Sequence, residues 1–222
     1  MFVAPVSTLA VEALQTESSQ QQTVTSNKQA EMQLRQMLRQ YNGFSADFKQ
    51  TVLDSEFKPL HEALGHLQFR QPGQFRWQVA EPEPELLLSN GQTLWWFNPF
   101  VEQVSIFDAE DAVATTPFAL LVSQDDAVWS QFAIEKRDSG FDIRPKQTDS
   151  QVILLHLEFK QDVLAKIEVT SRSHRLSRYE LQAQSFSLPT DASFDFEIPA
   201  GTDIDDQRKS ASELVTDGKV QF

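Results

Sequence analysis

From His66 to Asn98 the sequence HLQFRQPGQFRWQVAEPEPELLLSNGQTLWWFN alternates apolar and polar residues, and a tight-turn signal interrupts it twice. Apolar residues at every second position turn one side of an extended chain toward a core and the other toward water. Leu67 and Phe69 share a face; beyond Pro72-Gly73, Phe75, Trp77 and Val79 share one, with Gln74, Arg76 and Gln78 opposite. Asn90-Gly91 lies between two apolar runs, the strongest short-range hairpin signal, because the favoured turn needs positive φ at both central residues. Two hairpins in succession point to an antiparallel sheet as the framework.

The alternation continues on both sides. Phe44, Ala46 and Phe48 alternate with Ser45, Asp47 and Lys49, and VEQVSIF forms a strand after the turn at Asn98-Pro99-Phe100. Residues 129–136, 140–145, 151–160, 163–171, 175–186 and 193–198 read as further strands, the last from Phe194, Phe196 and Ile198 against Asp195 and Glu197. About ten strands with short links predict a sheet that is strongly curved or closed into a barrel.

Two segments break this rhythm. NKQAEMQLRQMLRQYNG sets Ala30, Leu34, Met37, Leu38 and Tyr41 at helical spacing, with Ser26 or Asn27 as N-cap and Asn42-Gly43 as the stop. Residues 108–129 are too long for a hairpin turn, and Pro117 opens a short, apolar helix from Phe118 to about Ser123. Such a helix either plugs the core or covers something else.

At 222 residues and 40% apolar content the chain has material for a sizeable core. A net charge of −13 repels nucleic-acid phosphates, so no nucleic-acid partner is expected. The absence of cysteine removes disulfides, thiolate metal sites and thiol nucleophiles. Residues 1–26 read as a signal-peptide remnant, with Val11-Glu12-Ala13 as a cleavage site, or as a disordered arm. Residues 27–208 then form the domain and 209–222 a C-terminal extension, either an edge strand or disordered.

Catalytic signatures are missing. His61, His66, His156 and His174 show no pairing that sets two imidazoles on one helical face. The acidic runs at 81–85 and 203–206 sit in Pro-rich or turn-like contexts and read as solvated surface, and there is no G-x-S-x-G, Walker or G-x-G-x-x-G motif. No enzyme, metal or cofactor is expected. What stands out is 17 Phe and four Trp, many at alternating positions, with Trp95, Trp96 and Phe97 side by side. They form either a large ordinary core or a concave sheet face that lines an apolar pocket.

FSADFKQ (44–50), PGQFRW (72–77), SNGQTLWWFNPFVEQV (89–104), TPFALL (116–121) and IPAGTDIDDQR (198–208) together, in this order, resemble the LolA family of periplasmic lipoprotein carriers in Gram-negative bacteria. The resemblance implies a mainly β fold, an unclosed antiparallel β-barrel with an α-helical lid over an apolar cavity. It implies a monomer that binds the acyl chains of triacylated lipoproteins. Cargo would come from an inner-membrane LolCDE-type ABC complex and pass to an outer-membrane LolB-type receptor, with no covalent chemistry. By the same resemblance Leu38, Phe44, Phe75, Trp77, Phe118 and Leu121 are cavity or lid positions. The alternative is the same fold acting as a protein-binding envelope sensor with a filled core. Family members often carry an arginine latch just before the strand-ending proline; here that position is Gln71, with Arg70 facing the other way. Gln71 can donate hydrogen bonds without charge, which implies a looser lid.

Overall fold

The structure is a computed structural model that describes residues 28–109, 120–121, 123–148 and 150–209. Helix α1 (residues 28–39) is followed by six strands, β1 (Gly43–Leu53), β2 (Pro59–Arg70), β3 (Gln74–Glu81), β4 (Glu85–Asn90), β5 (Thr93–Asn98) and β6 (Gln103–Asp108). A short helix α2 (Asp126–Ser130) leads into β7 (Phe132–Lys136), β8 (Gly140–Pro145), β9 (Val152–Lys160), β10 (Val163–Ser171) and β11 (Leu176–Ser185). A 3-10 turn (Asp191–Phe194) precedes β12 (Asp203–Asp206).

All twelve strands belong to one sheet in the order β12-β6-β5-β4-β3-β2-β1-β11-β10-β9-β8-β7, so β12 and β7 are its two edges and the barrel is unclosed. Every neighbouring pair is antiparallel except β12 beside β6, which is parallel. Both hairpins form at their glycine signals, with Gly73 at φ 70° and Gly91 at φ 95°, but β4 runs through Asn90, so the second loop is Gly91-Gln92 and only Gly91 takes positive φ. Register shifts in β1 and β10 mark the bends that curve the sheet. At Gly65 the Phe48 ring lies against the backbone, and a Cβ there would come within 2.2 Å of Phe48 Cζ.

Three sequence expectations need correction. Residues 193–198 are not a strand: Phe194 ends the 3-10 turn and Phe196 continues in irregular chain, yet both rings still face the sheet. Alternation reports a buried side, and a strap lying flat on a sheet has one without joining the ladder. The acidic run at 203–206, read as turn-like solvated surface, is solvated but forms strand β12, with three of its four residues exposed. Trp129 belongs to α2, whose N-cap Asp125 accepts from the Ala127 amide, so β7 begins only at Phe132. Pro117, Phe118, the terminal arm and the C-terminal extension lie outside the described residues.

Two apolar clusters sit on opposite faces of the sheet. The larger lies on the concave face and takes in the α1 stripe Ala30, Leu34, Leu38 and Tyr41. The smaller lies on the convex face of β3–β6, where Leu86, Leu88, Val104 and Ile106 are buried with Phe194. Farther round the same convex face the registered row Glu135, Asp142, His156, Glu168 and Arg178 is ionic.

Candidate functional site

The concave face is built from cross-strand rows. Phe44, Phe69, Phe75, Ser89, Leu94 and Phe107 are successive register partners from β1 to β6. The next row is Ala46, Leu67, Trp77, Leu87, Trp96 and Ser105. Because β-strand side chains alternate, Trp96 shares this face with Leu94 while Trp95 and Phe97 point outward. There they meet Phe196, with ring centroids 6.1 and 5.5 Å away. The run of three aromatics therefore serves both faces.

Cover over the concave face is uneven. Phe44, Phe69, Phe75 and Leu94 are buried, and so are Ala46 and Leu67. Along the second row cover thins: Trp77 and Leu87 are half-buried and Trp96 is 51% exposed. Trp96 Nε1 donates to the Glu85 carboxylate at this open corner. Beneath it Phe48 stacks on Trp77 at 4.6 Å, and Tyr179 meets Trp77 edge-on at 4.9 Å. Burial pushes the Tyr179 hydroxyl up to about 12, so it stays protonated and accepts a hydrogen bond from Gln50 at 3.1 Å.

Helix α1 supplies the cover. Its buried leucines, Leu34 and Leu38, each contribute about 1.5–3 kcal/mol by leaving water. The polar ties are few and come from three directions. Gln71, on the concave side of β2, donates to the Leu38 carbonyl at 3.3 Å and accepts from Gln124 Nε2 at 2.8 Å. Arg35 pairs with Glu31 at 2.7 Å and with Asp126 of α2, and its guanidinium lies 4.7 Å from the Trp129 ring. The hydrogen bond and charge of Arg35 hold the Asp126 carboxyl below its usual range. Gln40 and Tyr41 both donate to the Asp162 carbonyl in the β9–β10 turn. Around Leu38, Gln71, Leu120 and Leu121 the packing leaves only about 10 Å³ of space.

Of the residues named from sequence, Leu38, Phe44, Phe75 and Leu121 fall in one buried cluster and Trp77 packs against it. Phe118 lies outside the described residues. Arg70 points away from this face, toward the Pro189 carbonyl and Asp191, as strand alternation requires. Phe48, Phe69, Leu94, Trp96 and Tyr179 also belong to the face, and Leu34 to its cover. The helical stripe and the strand alternation could have named all of these but Tyr179, since nothing in the sequence around it marks it as concave.

Among the described residues no cluster of three or more His, Asp or Glu side chains could hold a metal ion, and no helix is long and apolar enough to cross a membrane. The model of the family "Outer membrane lipoprotein carrier protein LolA" matches residues 39–197. This chain belongs to the LolA family. The outer-membrane lipoprotein carrier protein of Shewanella oneidensis is 38% identical over 177 residues, which cover 79% of this chain and 86% of that protein. Its counterpart in Shewanella baltica strain OS195 is 37% identical over 181 residues, 81% of this chain and 87% of that one. The crystal structure of a LolA superfamily protein from Nitrosomonas europaea aligns with 73% of this chain and 97% of its own, at 10% identity and a TM-score of 0.42.

Proposed function

We propose that this LolA-family chain is a periplasmic carrier of outer-membrane lipoproteins, and that the concave face of β1–β6 receives the acyl chains when α1 moves aside. The observation that carries this reading is the half-covered corner at Trp77, Leu87 and Trp96, continuous with an apolar floor over which α1 packs. Removing an acyl chain from water is favourable by about 0.8 kcal/mol per CH₂, so a few methylenes on that floor match the packing that α1 gives up. Leu38 and Leu121 belong to the cover in this reading, as does Phe118, three residues before Leu121 in the chain. Phe44, Phe75 and Trp77 form the floor, and Gln71 is the latch. Cargo arrives from an inner-membrane ABC complex of the LolCDE type and leaves to a LolB-type outer-membrane receptor. The carrier acts as a monomer and makes or breaks no covalent bond.

The test is native mass spectrometry of the full chain with a triacylated lipoprotein, beside Trp77→Glu, a change on the half-covered part of the floor. A one-to-one complex that is lost in the variant, while circular dichroism shows both proteins folded, is the expected result. Absence of a complex with the unaltered protein would sink the carrier reading. The tight packing around Leu38, Gln71 and Leu121 would then favour a protein-binding sensor with a filled core.

A further inference from the structure

Strand β7 is a free edge of the sheet, and among the described residues no backbone group pairs with its outer side. A row of unpaired N–H and C=O groups is a template for another extended chain, and proteins usually cover or blunt it. Here it opens onto a groove of about 860 Å³ whose far wall is α1. Phe132, Ala133 and Ile134 of β7 line one side, and Lys28, Glu31, Met32, Arg35, Gln36 and Arg39 of α1 line the other. Lys146 and Asp126 close its end.

The charge of this groove is opposite to that of the molecule. The chain as a whole carries −13. In the groove Arg35 pairs with both Glu31 and Asp126, Arg39 adds its charge near Asp126, and Lys146 Nζ donates to the Ser130 carbonyl at 2.6 Å, so four cations face two carboxylates and Lys28, Arg39 and Lys146 form no carboxylate ion pair among the described residues. Arg35 Nε is buried on the same wall with no acceptor among the described residues. Met32, 59% exposed on the α1 side, adds an apolar contact with an adaptable shape.

We infer that the groove between α1 and β7 is a docking site for an extended polypeptide segment rich in carboxylates, which joins the sheet as a strand beside β7. Main-chain bonds to β7 supply affinity, and Lys28, Arg39 and Lys146 select the acidic partner. A lipid headgroup could use the cations but not the strand edge. The segment would also lie against α1, so its binding and the seating of α1 are coupled. The inference does not depend on lipid binding.

The probe is a blocked, fluorescent heptapeptide of sequence Glu-Val-Thr-Val-Glu-Val-Thr, compared with its Lys-for-Glu version and with a backbone N-methylated version that keeps the charges but lacks the donors. With the full chain the acidic peptide should bind at least about tenfold tighter than either control, with affinity falling as salt is raised. Amide exchange at residues 132–136 should slow by about tenfold at saturation. The double variant Lys28→Glu with Arg39→Glu changes two exposed residues and should lose about tenfold in affinity with an unchanged circular dichroism spectrum. Equal binding of the basic or N-methylated peptide overturns the inference, as does unchanged exchange at 132–136 or no binding up to about 1 mM. Protection of 132–136 before any peptide is added would give the edge to a segment of the chain itself and overturn it equally.

Discussion

The two apolar faces of this sheet are covered in different ways. On the convex side residues 189–206 form a strap that ends as a strand, with β12 backbone-paired to β6 and the Asp203 and Gln207 amides bound to the Glu102 and Ile106 carbonyls at 2.8 Å. Two guanidiniums fasten its middle: Arg70 reaches the Pro189 carbonyl at 3.1 Å and lies 5.2 Å from the Phe194 ring, and Arg76 points to the Ser193 carbonyl. On the concave side α1 makes no strand pairing. Apart from Arg35, its ties are neutral hydrogen bonds from Gln71, Gln40 and Tyr41. The strap is thus held by ladder and charge, and α1 by apolar packing, the Arg35 pairs and side-chain hydrogen bonds at about 1 kcal/mol each.

The hardest blow to this contrast should be Phe194→Ala. It empties a fully buried site under the strap and should cost about 3–5 kcal/mol, read as a lower urea midpoint for the whole molecule. Leu34→Ala, equally buried under α1, should cost about 2–3 kcal/mol. Its signature should be local, with amide exchange accelerated in α1 while β1–β6 stay protected. If both variants loosen the sheet alike, the two covers are not different in kind.

The uncovered convex face sharpens the comparison, because its ionic row needs no strap. Burial raises the Asp142 pKa, but hydrogen bonds and charge from Arg137 and His156 outweigh it and hold the carboxyl below the usual range. The folded pKa is thus below the unfolded value of about 3.9. Stability from this group is fully present above that value and is lost as pH falls through the folded pKa. Asp142→Asn should cost about 1–3 kcal/mol at neutral pH and make the acid limb of stability against pH shallower. An acid limb parallel to that of the unaltered protein would remove Asp142 from the account.

The smallest change concerns the latch. Gln71→Ala should raise α1 opening by about fivefold, roughly 1 kcal/mol, in amide exchange. Gln71→Arg should do the reverse and slow release of bound lipid; an unchanged release rate would dismiss the idea that the neutral residue loosens the cover.

Much of this design could be read from sequence wherever one local rule settles an element. Pro72-Gly73 and Asn90-Gly91 located the hairpins because glycine φ is a local property, and the Ala30-Leu34-Leu38 stripe located α1 because a helix buries one side. What could not be read depends on distant partners. Asp203–Asp206 is polar at nearly every position and becomes a strand only because β6 offers it an edge. Phe194 and Phe196 alternate like a strand because they lie on one. Gln71 was identified as the latch position by resemblance and by sharing a face with Phe69, but its relay to Gln124 joins residues far apart in the chain.

The shape of the β12 edge has a further consequence. An open sheet could stack edge to edge into a filament, which needs two compatible edges on every molecule. One edge here is a four-residue strand, Asp-Ile-Asp-Asp, set parallel to its neighbour and carrying a negative charge on three of its four residues. A second copy approaching it meets the carboxylates of Asp203 and Asp205, while Asp206 is paired with Arg208. The β12 edge therefore opposes the growth of an edge-to-edge filament, whatever pairs with β7.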